Sequence, residues 1–219
     1  AGRHEGEPQC SECWSKWHTS EYIKSDEVIK EGKIEKEDNL LIISDLHSPF
    51  TKEGYLEFCK KMYVKYSCKE VVIIGDIIDN HYSSYHETDP SGFSADDELD
   101  KAKKILKGFY EAFPNAKITI GNHDRIVLRK AFTSGLSKQW IKDMKVVLEV
   151  PTWEFKEYFI INNRLYYHGE GSSARAKAKE EMMSCICGHN HSQSYIEFFQ
   201  SRQGKRIFAM QVGTGINQE

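Results

Sequence analysis

Aspartates, histidines and one asparagine recur along this chain in short, ordered clusters. Asp45 and His47 stand two residues apart in Ser44-Asp45-Leu46-His47, and Asp76 and Asp79 three apart in Gly75-Asp76-Ile77-Ile78-Asp79-Asn80. Asn122, His123 and Asp124 follow Gly121, His168 precedes Gly169, and His189 and His191 flank Asn190 after Gly188. Carboxylates, imidazoles and an amide carbonyl form a mixed oxygen and nitrogen donor set, suited to Mn, Fe, Zn or similar divalent ions. Asp-x-His and His-x-His each place two donors on one side of an extended chain end. The glycines before Asp76, Asn122 and His189 allow a sharp turn or close approach of backbone to an ion. Any one cluster reads as an ordinary turn; their joint occurrence points to a metal centre.

The elements that must position these clusters are apolar runs just before them. Leu40 to Ser44, Glu70 to Gly75, Ala116 to Ile120, Leu165 to His168 and Ser184 to Cys187 are predicted strands. The second is almost wholly apolar, as expected when both faces of a strand are covered. Ligands gather beyond the carboxyl ends of strands in open α/β sheets, so five such ends can converge on one place. Helices are predicted over Gly54 to Tyr66, from Ser94 to about Phe113 with Asp97 completing a capping pattern, and from Arg125 to Phe132. After Trp140 strands dominate: Val146 to Val150, Tyr158 to Ile161, Tyr195 to Phe199 and Ile207 to Val212 join the two already named. Asn162-Asn163 is a predicted hairpin turn, and one helix runs from about Ser173 to Met183. Strands alternating with helices and then mostly strands argue for an α/β fold of stacked sheets with helices outside.

Asp-x-His, Gly-Asp-x-x-Asp, Gly-Asn-His-Asp, a lone His and Gly-His-x-His, in that order from about Leu40 to Val212, resemble the signature of the calcineurin-like metallophosphoesterases. The resemblance implies a four-layer αββα sandwich of two mixed β-sheets flanked by helices. It implies two divalent ions (Mn, Fe, Zn, Ni or Mg), one held by Asp45, His47, Asp76 and His191, the other by Asp76, Asn122, His168 and His189, with Asp76 bridging. By the same resemblance His123 lies near the leaving group as general acid, and Asp79 orients it. The activity implied is hydrolysis of phosphate mono- or diesters by a two-metal-activated hydroxide, with no covalent phospho-enzyme. A nuclease using the same two-metal site, or a non-catalytic metal-binding scaffold, are the alternatives. Asn80-His81 stands where the phosphoprotein phosphatases carry Arg-Gly, which argues against that branch. His168-Gly-Glu-Gly-Ser-Ser is either a backbone phosphate cradle or a plain connector.

The balance of 39% hydrophobic and 29% charged residues in a chain of 219 suits one medium globular domain with a small appendage. The net charge of -3 excludes an overall basic field for long nucleic acid, and the compact basic cluster near a motif is Arg175, Lys177 and Lys179. A phosphate-ester substrate is therefore the expected partner. No apolar run approaches the roughly 20 residues of a membrane helix, and Ala1 to Glu7 lacks a signal-like stretch, so a cytoplasmic location without membrane contact is expected. Residues 1–36 form a polar segment distinct from a metallophosphoesterase domain at 37–219. Within it Cys10 and Cys13 have the spacing of a zinc half-site that His4 and His18 could complete as a structural zinc knuckle, against a simple tail. Cys185 and Cys187 are expected to be small buried residues, one on each side of a strand. The loop from His81 to Gly92, with Tyr82, Tyr85 and His86, is either part of a lid or base-stacking wall beside Asp79 or a surface loop.

Overall fold

Val71 and Ile73 of one apolar run point to one side and Val72 and Ile74 to the other, and all four are buried. A strand buried on both faces must lie inside a layered structure. The computed structural model describes residues 38–85 and 91–217, and its strands and helices build those layers. In chain order they are β1 (Leu40–Ser44), α1 (Tyr55–Lys65), β2 (Glu70–Ile74), α2 (Ala95–Ala112), β3 (Lys117–Thr119), α3 (Ile126–Thr133), α4 (Met144–Val147), β4 (Glu154–Lys156), β5 (Tyr158–Ile161), β6 (Arg164–Tyr167), α5 (Ala174–Glu181), β7 (Ser184–Cys187), β8 (Tyr195–Gln200) and β9 (Arg206–Gln211). Sheet one has the order β1-β2-β3-β4 and is parallel throughout. Sheet two, β5-β6-β7-β9-β8, is mixed: β5 and β8 run antiparallel to their neighbours, and β6, β7 and β9 are parallel.

Three apolar clusters correspond to three interfaces between four layers. Leu41, Ile43, Val71 and Ile73 pack against Cys59 of α1 and Ala102, Leu106 and Phe109 of α2. Val72 and Ile74 meet Phe159, Tyr166 and Ile186 between the sheets. Leu165, Cys185, Cys187 and Ala209 pack on Ala174 and Ala178 of α5. The α/β sandwich of two sheets between helices is thus the observed architecture. Cys185 and Cys187 face the same layer, not opposite ones, because residues two apart on a strand share a face.

Local chemistry accounts for most element boundaries. Ser94 caps α2 by accepting from Asp97 N at 3.2 Å, and Ser173 caps α5 by accepting from Ala176 N at 3.3 Å. Asn162 and Asn163 both have positive φ, 52° and 56°, as the two-residue hairpin between β5 and β6 requires. The expected strand at Val146 to Val150 is absent. Asp143 accepts from Lys145 N at 2.9 Å and starts the one-turn helix α4, and Met144, Val147 and Leu148 bury a helical stripe instead. Its place in sheet one is taken by β4, whose Glu154 and Lys156 concealed an edge strand around Phe155.

The described residues fall mainly in one unit, residues 38–200 with 206–217. The zinc knuckle expected at Cys10, Cys13, His4 and His18 lies outside the described residues. Among those described, no helix is long and apolar enough to cross a membrane.

Candidate metal centre

Ser44, Ile74 and Thr119 end three neighbouring parallel strands, and the chain leaves each strand through a turn that returns polar groups to the same edge. Asp45, His47, Asp76 and His189 all have positive φ, between 45° and 69°. Non-glycine residues adopt this region infrequently, and such strain concentrates at functional sites. Two glycines make the crowding feasible. A Cβ on Gly121 would collide with the Asp76 carboxylate, and one on Gly188 with Ser44 Oγ and the Asp45 carboxylate.

The structure brings all nine candidate site residues together. Asp45 accepts from His189 N at 3.0 Å and lies 3.3 Å from His191 Nε2. Asp76 Oδ2 stands 3.6 Å from His47 Nε2 and 3.1 Å from His168 Nε2, and its Oδ1 accepts from His123 N at 2.9 Å. His168 Nε2 also faces Asn122 Oδ1 at 2.9 Å and His189 Nδ1 at 3.1 Å. Donor atoms of Asp45, His47 and His191 lie within 4.8 Å of one another, as do those of Asp76, His168 and His189. A third group of the same span joins His47, Asp76 and His123, so the His123 ring also reaches this space.

Hydrogen bonds assign the tautomers. His47 Nδ1 bonds Asp79 Oδ1 at 2.6 Å, so that nitrogen carries the proton. Its Nε2 then presents a lone pair, is buried, and has no hydrogen-bond partner. A carboxylate behind an imidazole whose other nitrogen faces further donor atoms is the arrangement that supports a metal ligand. His168 Nδ1 lies 3.3 Å from the carbonyl of Ile74, which can only accept. Its Nε2 therefore faces Asp76 Oδ2, Asn122 Oδ1 and His189 Nδ1. One proton satisfies a single pair of these atoms, whereas one cation satisfies all four. Buried Asp45, Asp76, Asp79 and Asp124 have no Lys or Arg partner among the described residues; imidazoles and backbone N–H groups face them instead, and buried carboxylates need such compensation. The residues present fit divalent cations.

The titration of these groups without cations reflects the same crowding. Burial works against charge on His168, but the hydrogen bond and charge of Asp76, with Asp45 and Asp124 behind, raise its pKa to about 9. Burial likewise opposes charge on His47, and Asp79, Asp76 and Asp45 together raise it. Burial favours neutral Asp76, yet the hydrogen bond and charge of His168, with His123 and His47, lower its pKa. His189 is pushed down by burial and by His168. Protons held between acids and imidazoles are those that metal binding displaces.

Two placements differ from the sequence expectation. The Asp79 carboxylate makes its short bond to His47 and stays 3.5 Å from His123 Nδ1. His123 Nδ1 instead donates to the Asp79 backbone carbonyl at 2.6 Å. The reason is chain path: β2 runs on through Asp76 to Asp79, which brings the carbonyl under the His123 ring and the side chain under His47. Second, two of the three basic residues of the cluster at α5 are ion-paired. Arg175 pairs with Glu197, and Lys177 with Glu180 and Glu181.

Asp124 was visible in Gly-Asn-His-Asp but its part was not. Its carboxylate accepts from Asp76 N, Gly121 N and Ile77 N at 2.8–3.0 Å and so clamps two strand ends together. Burial and the Asp76 charge raise its pKa to about 6, against the backbone N–H groups that favour the anion. Asn80 Nδ2 donates to the His123 carbonyl at 2.9 Å, and Thr214 Oγ1 to that of Asp45 at 3.0 Å. These braces lie far from their partners in sequence, and residue type alone did not single them out.

With this geometry in place, the chain belongs to the calcineurin-like phosphoesterases: the profile of that family matches residues 39–211. No curated protein matches the sequence. Solved structures similar to this chain include the nuclease MPE of Pseudomonas putida, at 14% identity over 80% of this chain and 72% of that one, with a TM-score of 0.39. Vacuolar Protein Sorting 29 from Cryptosporidium parvum gives 13% identity, 81% and 74% coverage and a TM-score of 0.42. The phosphoesterase Yfce of E. coli gives 14%, 80% and 79%, and 0.38.

Proposed function

We propose that this chain is a metal-dependent hydrolase of phosphate esters whose two cation sites share Asp76. One site is formed by Asp45, His47, Asp76 and His191, the other by Asp76, Asn122, His168 and His189. The observation that carries the reading is the convergence of His47 Nε2 and His168 Nε2 on Asp76 Oδ2, at 3.6 and 3.1 Å, with the buried His47 Nε2 lacking a hydrogen-bond partner. Divalent cations held there would supply Lewis acidity toward the phosphoryl oxygens and a lowered pKa for the attacking water.

The chain's own residues divide the remaining work. Asp79 fixes the ring of His47, and Asp124 fixes the backbone of Asp76. His123, with Nδ1–H held by the Asp79 carbonyl, has Nε2 left to give a proton to the leaving oxygen. In this reading water attacks phosphorus directly, without a covalent phospho-enzyme. The test is turnover of p-nitrophenyl phosphate and bis-p-nitrophenyl phosphate with Mn²⁺. Hydrolysis that EDTA abolishes and Mn²⁺ restores is expected. Tight metal binding with no turnover of either ester would favour the non-catalytic scaffold.

A further inference from the structure

The segment Arg125–Lys145 holds six basic residues and one acidic, Asp143, in a chain whose net charge is -3. Arg125 is paired with Glu157 and Glu170. Arg129, Lys130, Lys138 and Lys142 have no ion pair among the described residues. Between these cations the same segment exposes large apolar side chains: Phe132 is 82% and Trp140 83% exposed, with Leu136 about half exposed. Arg129, Phe132, Leu136 and Lys138 line a groove of about 730 Å³. Tyr85, also exposed, lies under both Arg129 and Lys130, 5.5 and 5.3 Å from its ring centre. Lys130 Nζ holds the backbone there by donating to Ser84 O at 2.9 Å.

Both halves of this surface spring from the candidate metal centre. α3 follows His123 directly, with Ile126 N bonded to the His123 carbonyl, and the turn His81–Ser83 leads from Asp79 to Tyr85. The surface therefore continues from the side where His123 would protonate a leaving group.

We propose that this surface binds single-stranded nucleic acid, whose backbone runs over Arg129, Lys130, Lys138 and Lys142 and whose bases stack on Tyr85, Phe132 and Trp140. The proposal rests on the phosphoesterase reading and gives it a substrate class. Cations interleaved with exposed π faces match a strand of phosphates and unstacked bases. A duplex offers no free base faces to such rings. A second copy of the chain would cover Phe132 and Trp140, but a two-fold contact would set the same four cations against themselves.

The test uses the full chain in EDTA with a fluorescein-labelled oligothymidylate of about a dozen residues, a length within the span of known single-strand sites. Binding should be followed by anisotropy. It should weaken roughly tenfold or more in Trp140→Ala and in Arg129→Glu/Lys130→Glu, as removal of a stacking ring or of two phosphate-binding cations predicts. The salt slope should fall by roughly 0.7 for each phosphate left without its cation. Circular dichroism checks that these substitutions leave the fold intact. Absence of binding, equal binding of duplex, unchanged binding by both variants, or a concentration-dependent dimer that Trp140→Ala abolishes would each overturn the proposal. In parallel, bis-p-nitrophenyl phosphate is assayed with Mn²⁺. Turnover without oligonucleotide binding defeats this inference alone, whereas oligonucleotide binding without turnover of any ester defeats the phosphoesterase reading and leaves the surface standing.

Discussion

His123 is the residue at which binding and chemistry should separate. Its Nδ1–H is held by a carbonyl, and in the proposed reading its Nε2 gives up a proton while each proposed cation site has four other donors. His123→Ala is expected to retain both cations and to lose roughly 10²–10⁴-fold in rate on an alkyl phosphate ester. The loss on a nitrophenyl ester should be much smaller, because that leaving group departs without a proton. Equal losses on the two esters, or loss of one cation by mass spectrometry, would make His123 a ligand. The Asp79 side chain has a different expected signature. Because its carboxylate holds His47 at 2.6 Å, Asp79→Asn should weaken metal affinity by roughly 10–100-fold, the cost typical of an outer-shell partner, and isothermal titration with Mn²⁺ measures it. At this scale the donor types and their order were readable from sequence. The partner of Asp79 was not, since a spacing of three residues cannot say which of two imidazoles a side chain reaches.

Elements position these residues through a few braces that connect distant segments. Glu98, on the first turn of α2, is buried and accepts from His81 N and Tyr82 N at 2.7 and 2.9 Å. It pins the turn that follows Asp79-Asn80 to a rigid helix. Glu98→Ala leaves those two N–H groups without a partner and is expected to cost about 1–3 kcal/mol of stability, seen as a lower Tm. A Tm unchanged within error would mean that the turn is held by other contacts. Gly188→Ala tests the close approach at the other edge, where a Cβ has no room beside Asp45. The variant should fold with its sheets intact by circular dichroism yet bind Mn²⁺ more weakly; equal affinity would contradict the crowding described. The elements themselves were largely legible because their apolar periods are clean and their caps are explicit, as at Ser94 and Ser173. Two β-branched residues at 146–147 suggested a strand, but the core selected the helical stripe Met144, Val147 and Leu148. Phe155 alone between two charged residues carried too little alternation to reveal β4.

For the whole molecule, layering explains why five strand ends meet. Two sheets buried against each other and covered by helices leave their carboxyl edges as the place where polar turns can converge. All five clusters lie beyond Asn39, so deletion of residues 1–36 is expected to leave a folded domain that binds two cations. Loss of one zinc ion with catalysis spared would support the proposed knuckle at Cys10 and Cys13; loss of folding would show that the segment is part of the core. The brace residues Asp124, Asn80 and Thr214 were not legible because their partners are brought near only by the assembled layers.

The central claim is that one carboxylate, Asp76, joins two cation sites. It is tested most directly by metal stoichiometry of wild type and Asp76→Asn, measured by mass spectrometry after dialysis against Mn²⁺. The expected result is two ions per chain in wild type, fewer and more weakly held ions in the variant, and loss of most turnover on bis-p-nitrophenyl phosphate. Two ions bound by Asp76→Asn with unchanged affinity would contradict the account.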